Sequence, residues 1–414
     1  MTVGAFSEWR KLPISISELC INTTLRCGQS FRWHKLADED EWRCVLYGRL
    51  VSLKQDTTHL HYRTYLNPKS PDSNDKDTTL AIIKHYFNLS SDLSILYAQW
   101  SSSDPNFRKK ASSFTGIRIL RQDAWEALIS FICSSNNNIA RIGQMVEKLC
   151  VNYGAHVADV NGRAYHDFPP AELLAEDAGV EAKLRSLGFG YRAKYIYQTA
   201  IMVAKEREKG WLDSLRNLEA PAFGSAEATI SDDGELPPEG RSGYREAHEK
   251  LLELQGVGPK VADCVALMGL GWGESVPVDT HVWQIAQRDY KFGKGSHKSL
   301  TKATYDAVGN HFRKLWGKEA GWAHSVLFTA DLKTFSDRLV ATTKQAKVDV
   351  KVKEEESEEN KTQITATATV TNVALKRAAD EDKIKLEPDD KKAKVATKTT
   401  TTNATRRTSR RLRP

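Results

Sequence analysis

Apolar residues alternate with polar ones in two stretches near the start of the chain, at Trp42, Cys44 and Leu46 and again at Leu60, Tyr62 and Thr64. A period of two turns one face of a strand inward, so residues 8–66 are predicted to form half-buried antiparallel strands. A polar loop follows at 67–79, where Asp77 is placed to cap a helix carrying Leu80, Ile83 and Phe87 on one side. From about Phe114 the period changes. Trp125, Leu128, Ile129, Ile132 and Cys133 recur at the three- and four-residue spacing of a buried helical face. The run Ser134-Ser135-Asn136-Asn137-Asn138 interrupts it, and a second helix then turns Ile142, Met145, Val146, Leu149 and Cys150 inward. Further helices are predicted over 171–187, 192–209 and from Tyr244 to about Ser336. Residues 220–242, rich in Gly, Pro and acid, read as a flexible exposed insertion. The fold class is therefore α+β. A β-rich N-terminal domain (1–113) precedes an all-helical domain (114–343), and the last 71 residues (344–414) form a tail.

Composition sharpens the tail. From Lys344 onward there is no Phe, Trp or Tyr, so little apolar surface is available to offset chain entropy, and disorder is expected. The tail also holds +6 of the net charge of +7. Charge over the rest is nearly balanced and argues only weakly for nucleic acid. Lys376-Arg377 with Lys391-Lys392-Ala393-Lys394 resembles a bipartite nuclear import signal, and Arg406-Arg407 and Arg410-Arg411 add a second basic cluster. A nuclear address read by an import receptor is the expectation, with a mitochondrial pool left open. The six cysteines form no C-x-x-C pair and no zinc spacing with histidine. They are read as reduced thiols, and neither a metal nor a cofactor is implied. No apolar run is long enough to suggest a membrane span.

The chemistry concentrates between Gln255 and Tyr290. Gly256-Val257-Gly258 breaks two helical patterns, and Pro259 suits the first turn of the second helix. Such a hairpin turns backbone N–H groups outward beside a helix N-terminus, which suits a DNA phosphate. Lys260 opens that second helix, and Asp279 opens the next. The two can meet in one cleft. On their own, Lys260 could also be a phosphate contact and Asp279 a simple helix cap.

The stretch Leu254–Cys264 (LQGVGPKVADC) with Val276–Asp279 (VPVD) resembles the helix-hairpin-helix signature of base-excision DNA glycosylases, in particular the eukaryotic 8-oxoguanine DNA glycosylases. Cys27–Trp33 (CGQSFRW), Phe131–Arg141 (FICSSNNNIAR), Leu187–Arg192 (LGFGYR) and Gly321–Ala330 (GWAHSVLFTA) resemble the same family in the same order, over about 8–336. No cysteine follows Cys264, which excludes the iron–sulfur branch of the superfamily.

The resemblance implies a bifunctional enzyme, glycosylase and β-lyase, acting on damaged double-stranded DNA as a monomer. Lys260 takes the nucleophile position, and Asp279 stabilises charge on the sugar. The expelled base is implied to lie between Phe328 and Cys264, near Met268 and His281, with the Gly28 carbonyl accepting the N7–H that marks 8-oxoguanine. Asn136 is implied to fill the vacated space. Arg141 and Arg192 would meet the orphaned cytosine, and Tyr191 would wedge beside it. One position departs from the family: His324 stands where a glutamine meets the base edge. That replacement predicts a narrower or pH-sensitive preference, weakened binding with the Lys260 chemistry kept, or a different damaged purine. A non-catalytic DNA-binding protein using the hairpin as a phosphate clamp is the reading from another class.

Overall fold

In the computed structural model the described residues are 4–37, 39–66, 78–225, 228–229, 236–293 and 299–335. Asp77 and the tail calls from 344 onward lie outside them. The described residues include the strands β1 (Ala5–Phe6), β2 (Arg10–Pro13), β3 (His34–Lys35), β4 (Trp42–Leu46), β5 (Arg49–Gln55), β6 (His59–Leu66), β7 (His156–Val160) and β8 (Arg163–His166). The first six form an antiparallel sheet ordered β1-β6-β5-β4-β3, with β2 also on β6. β6 alternates buried and less buried residues, as its period of two predicts. β4 does not, because all five of its residues are buried. The hairpin β7–β8 explains this. Ala158, Val160 and Tyr165 pack with Val45 and Leu50 against the second face of the sheet.

After a short helix at Ile21–Thr24, a second begins at Thr79 with Thr78 as its cap residue, and two more, Leu93–Ser103 and Pro105–Ala111, follow before the expected change of character. The helical layer then buries a large contiguous core that includes Leu128, Ile129, Val146, Leu251, Val265 and Val326. The helix predicted over 171–187 is two short ones, Ala171–Leu174 and Gly179–Ser186. The helix from Arg192 runs to Ile201 and widens into a π-helical turn over Met202–Glu206. The start of the 220–242 stretch is tied down, since the Phe223 ring lies 4.9 Å from Tyr47 and 5.4 Å from His85. No helix of the described residues is long and apolar enough to cross a membrane. All six cysteines are free and buried.

Candidate active site

The helix Ser242–Leu252 and the helix Pro259–Met268 flank the predicted glycine turn. Gly256 has φ +76°, and a Cβ there would stand 2.7 Å from the Tyr195 side chain. Both the backbone and the space demand glycine. Gly258 differs. Its φ of −100° is ordinary, and nothing lies within 4 Å of where a Cβ would be. Its role is to leave open space in front of the helix N-terminus rather than to permit the turn. Val257 is buried beneath it, and Thr199 holds the turn by donating to the Gln255 carbonyl at 2.8 Å.

Lys260 is half-buried in the first turn of its helix. Its Nζ donates to Ser134 Oγ at 3.2 Å and lies 5.1 Å from the centre of the Phe131 ring. Cys264, one turn on, is buried, and that burial raises its thiol to about 11 despite the opposing charge of Lys260. It is therefore a protonated, apolar wall at neutral pH. Asp279 caps the helix Thr280–Tyr290, accepting the Val282 N–H at 2.9 Å.

A buried carboxylate joins the two helices. Asp263 accepts from Tyr244 (2.6 Å), from Ser275 (2.8 Å) and from the Tyr305 hydroxyl. The Tyr305 oxygen in turn accepts the N–H of Val278 at 3.4 Å, next to Asp279. Burial beside Asp263 holds both tyrosines well above their ordinary pKa, so they stay protonated donors.

Lys260, Cys264 and Asp279 line one cleft, whose other walls include Gly28, Met268, His324 and Phe328. Gly28 comes from the sheet-bearing half. Its φ is +84°, and a Cβ would stand 3.0 Å from the Ile139 side chain. Gln29, which is buried, fixes that turn by donating to the Arg118 carbonyl at 2.9 Å and accepting the Leu120 N–H at 3.0 Å. Phe328 is half-buried at the cleft. His281 is exposed at the margin, its ring perpendicular to Phe328 at 6.2 Å. Ser134, Phe131, Cys27 and Gln29 also stand at the site; all four fall inside the motifs of the sequence, but no local pattern marks them out individually.

Asn136, Tyr191 and Arg192 gather at a second place. Asn136 is exposed with φ +48°. Arg192 is buried, and its guanidinium donates to the carbonyls of Ser135 and, at 3.1 Å, of Asn136. The exposed Tyr191 donates to Ser135 O at 3.1 Å and lies under the same guanidinium at 4.5 Å. Arg192 thus supports the asparagine turn from below. Arg141 is exposed near the start of the helix Ile139–Tyr153. Among the described residues no group of three or more His, Cys, Asp or Glu side chains is placed to hold a metal.

A largely apolar cleft that holds an amine and a carboxylate beside the Phe131 and Phe328 rings is equipped for nucleophilic chemistry on a flat group. Comparison with known proteins agrees. Residues 11–128 match the N-terminal domain family of 8-oxoguanine DNA glycosylase, and residues 129–316 match the HhH-GPD superfamily of base excision DNA repair proteins. An N-glycosylase/DNA lyase of Saccharomyces cerevisiae is 37% identical over 83% of this chain and 92% of its own length. The N-glycosylase/DNA lyase OGG1 of Arabidopsis thaliana is 36% identical over 78% of this chain and 80% of its own. The Clostridium acetobutylicum 8-oxoguanine glycosylase/lyase, solved with double-stranded DNA containing cytosine opposite 8-oxoG, is 26% identical with a TM-score of 0.58. It covers 75% of this chain and 91% of that one. With both halves matched and relatives this similar along most of their length, the chain belongs to the 8-oxoguanine DNA glycosylase family of DNA N-glycosylases with lyase activity.

Proposed function

We propose that this enzyme excises 8-oxoguanine paired with cytosine and then cuts the strand through a Schiff base on Lys260. The observation that carries the reading is the convergence of Lys260 and Asp279 on one cleft with Phe328, Cys264 and Gly28 as its walls. The unprotonated Lys260 amine attacks the sugar C1′, and the bond from C1′ to the base nitrogen breaks. The base leaves with the proton that the attacking amine gives up, and the sugar ring opens to an iminium on Lys260 as O4′ takes a proton from solvent. Loss of a C2′ proton then expels the 3′ phosphate. The Asp279 carboxylate faces the positive charge that develops on the sugar. In this reading Asn136 fills the gap in the duplex, with Arg141 on the cytosine side and Tyr191 as the wedge. Arg192 acts through the turn it supports. The tail supplies the nuclear address, and one copy of the chain acts on one lesion.

Borohydride trapping on duplexes carrying a single 8-oxoguanine opposite each of the four bases tests this. The expected result is a covalent adduct, most with cytosine, that is absent in Lys260→Gln. An adduct that persists in Lys260→Gln, or one formed equally opposite every base, would refute the corresponding part.

A further inference from the structure

Asp263 lies one turn beyond Lys260 on the helix Pro259–Met268 and is 1% exposed. Lys260, Cys264 and Met268 of that helix line the cleft, whereas Asp263 is not among its walls. It stands behind the amine rather than beside a substrate. A carboxylate taken out of water is costly unless donors meet it, and three hydroxyls do so here. Oδ1 accepts from Tyr244 at 2.6 Å and from Ser275 at 2.8 Å, and Oδ2 accepts from Tyr305. Ser275 Oγ also lies 2.9 Å from the Asp263 carbonyl. Burying a charge is a poor way to stabilise a fold. What this one grips says more.

Two of the three hydroxyls lead to the connection that carries Asp279. Residues 274–278 of that connection are buried and belong to no helix or strand, so side chains must hold their backbone in place. Arg241 holds the start, donating to the Glu274 carboxylate at 2.8 and 2.9 Å. Ser275 ties the next residue to Asp263. At the far end the Tyr305 oxygen gives its proton to Asp263 and accepts the Val278 N–H in a long bond of 3.4 Å. Asp279 follows directly, and its Oδ1 caps the helix Thr280–Tyr290.

Lys260 and Asp279 thus sit on different helices, and one carboxylate on the first helix sets where the second begins. A misplacement of about 1 Å between reacting groups costs on the order of a hundredfold in rate. We infer that Asp263, acting through Ser275 and the Tyr305 hydroxyl, is a positioning residue that fixes the Asp279 carboxylate relative to the Lys260 amine, so that base release depends on it and DNA binding does not. This inference rests on the base-excision reading above.

The test is a double-mutant cycle of Tyr305→Phe with Asp279→Asn, since asparagine keeps the helix cap without the charge. Single-turnover release of 8-oxoguanine opposite cytosine is measured beside binding of a tetrahydrofuran abasic duplex. Tyr305→Phe is expected to slow release about fivefold, the worth of one neutral hydrogen bond, and to leave binding within about twofold. In Asp279→Asn protein it should have no further effect. Ser275→Ala, taken through the same cycle, is expected to behave alike, and it decides if Tyr305→Phe does not fold. Tyr244→Phe is the control. It removes a hydroxyl from the same carboxylate, but one that leads to the helix Ser242–Leu252. It should lower Tm without slowing release. Equal slowing by Tyr305→Phe in both backgrounds would mean a general loosening and overturn the inference. No slowing, a loss confined to binding, or equal slowing by Tyr244→Phe would overturn it too. If the wild-type protein releases no 8-oxoguanine, the excision reading fails. The same cycle is then read on the borohydride adduct at an abasic site, which needs Lys260 and Asp279 but no base. A wild type inert on both substrates would overturn reading and inference together.

Discussion

At the scale of single residues, His324 sets an acid limit on the folded protein. Its ring titrates near 6.5 when exposed and near 4 in the fold. The unfolded chain therefore binds more protons than the folded one between those two values. Above about pH 6.5 the ring imposes no pH-dependent cost, and stability falls as pH drops from there toward about 4. His85, also lowered to about 4, chiefly by burial, acts the same way. Thermal unfolding between pH 7 and pH 4 should show a decline in Tm that is shallower in His324→Gln. An identical slope in the two proteins would mean that the ring is not held neutral.

Lys260 and Asp279 were legible in the sequence because each opens a helix, and a helix start is marked by local signals. The buried carboxylate between them was not. Asp263 looks like any polar residue in a helix until Tyr244, Ser275 and Tyr305, which are far from one another in the chain, converge on it.

At the scale of elements, the hairpin separates two jobs that the sequence showed as one. Gly256 shapes the turn, and Gly258 clears the approach. Gly256→Ala forces a left-handed φ on a residue with a Cβ and pushes that atom into Tyr195. It should cost about 1–2 kcal/mol for the backbone alone and lower Tm. Gly258→Ala meets neither obstacle and should leave Tm within about a degree, since surface changes without strain stay near ±0.5 kcal/mol. It should weaken binding to undamaged duplex several-fold, because the methyl stands where a phosphate would come. Calorimetry paired with fluorescence anisotropy separates the two effects, and a large Tm loss in Gly258→Ala would sink the distinction.

The elements also mark where periodicity runs out. β6 was readable because one face meets solvent. β4 was readable as a strand but not as a doubly covered one, since the hairpin that covers it begins more than a hundred residues later at His156. The π-helical turn at Met202–Glu206 adds a residue to a helical turn without changing the amphipathic pattern enough to be seen.

At the scale of the whole molecule, the two family matches meet at 128 and 129, inside the helix Ala124–Ile132. A buried charge network crosses the same seam. Arg32 donates to Glu126 at 2.6 Å and to Asp167 at 3.0 Å, and Asp167 accepts the Gly48 N–H at 2.8 Å. Arg32 and Glu126 are both buried. Removing one partner would strand the other, at about 3–5 kcal/mol. Arg32→Met should therefore lower Tm by several degrees while residues 4–335 still unfold in a single calorimetric transition. Two separated transitions would mean that the sheet half folds independently.

The split origin of the cleft also has a consequence for synthesis. Gly28 leaves the ribosome first, Lys260 and Asp279 much later, and His324 and Phe328 close to the end of the described chain. A chain halted after Asp279 would own the amine and the carboxylate but lack the His324 and Phe328 wall of the cleft. The order of residues along the chain thus delays the ability to break DNA until nearly all of the folded region has been made.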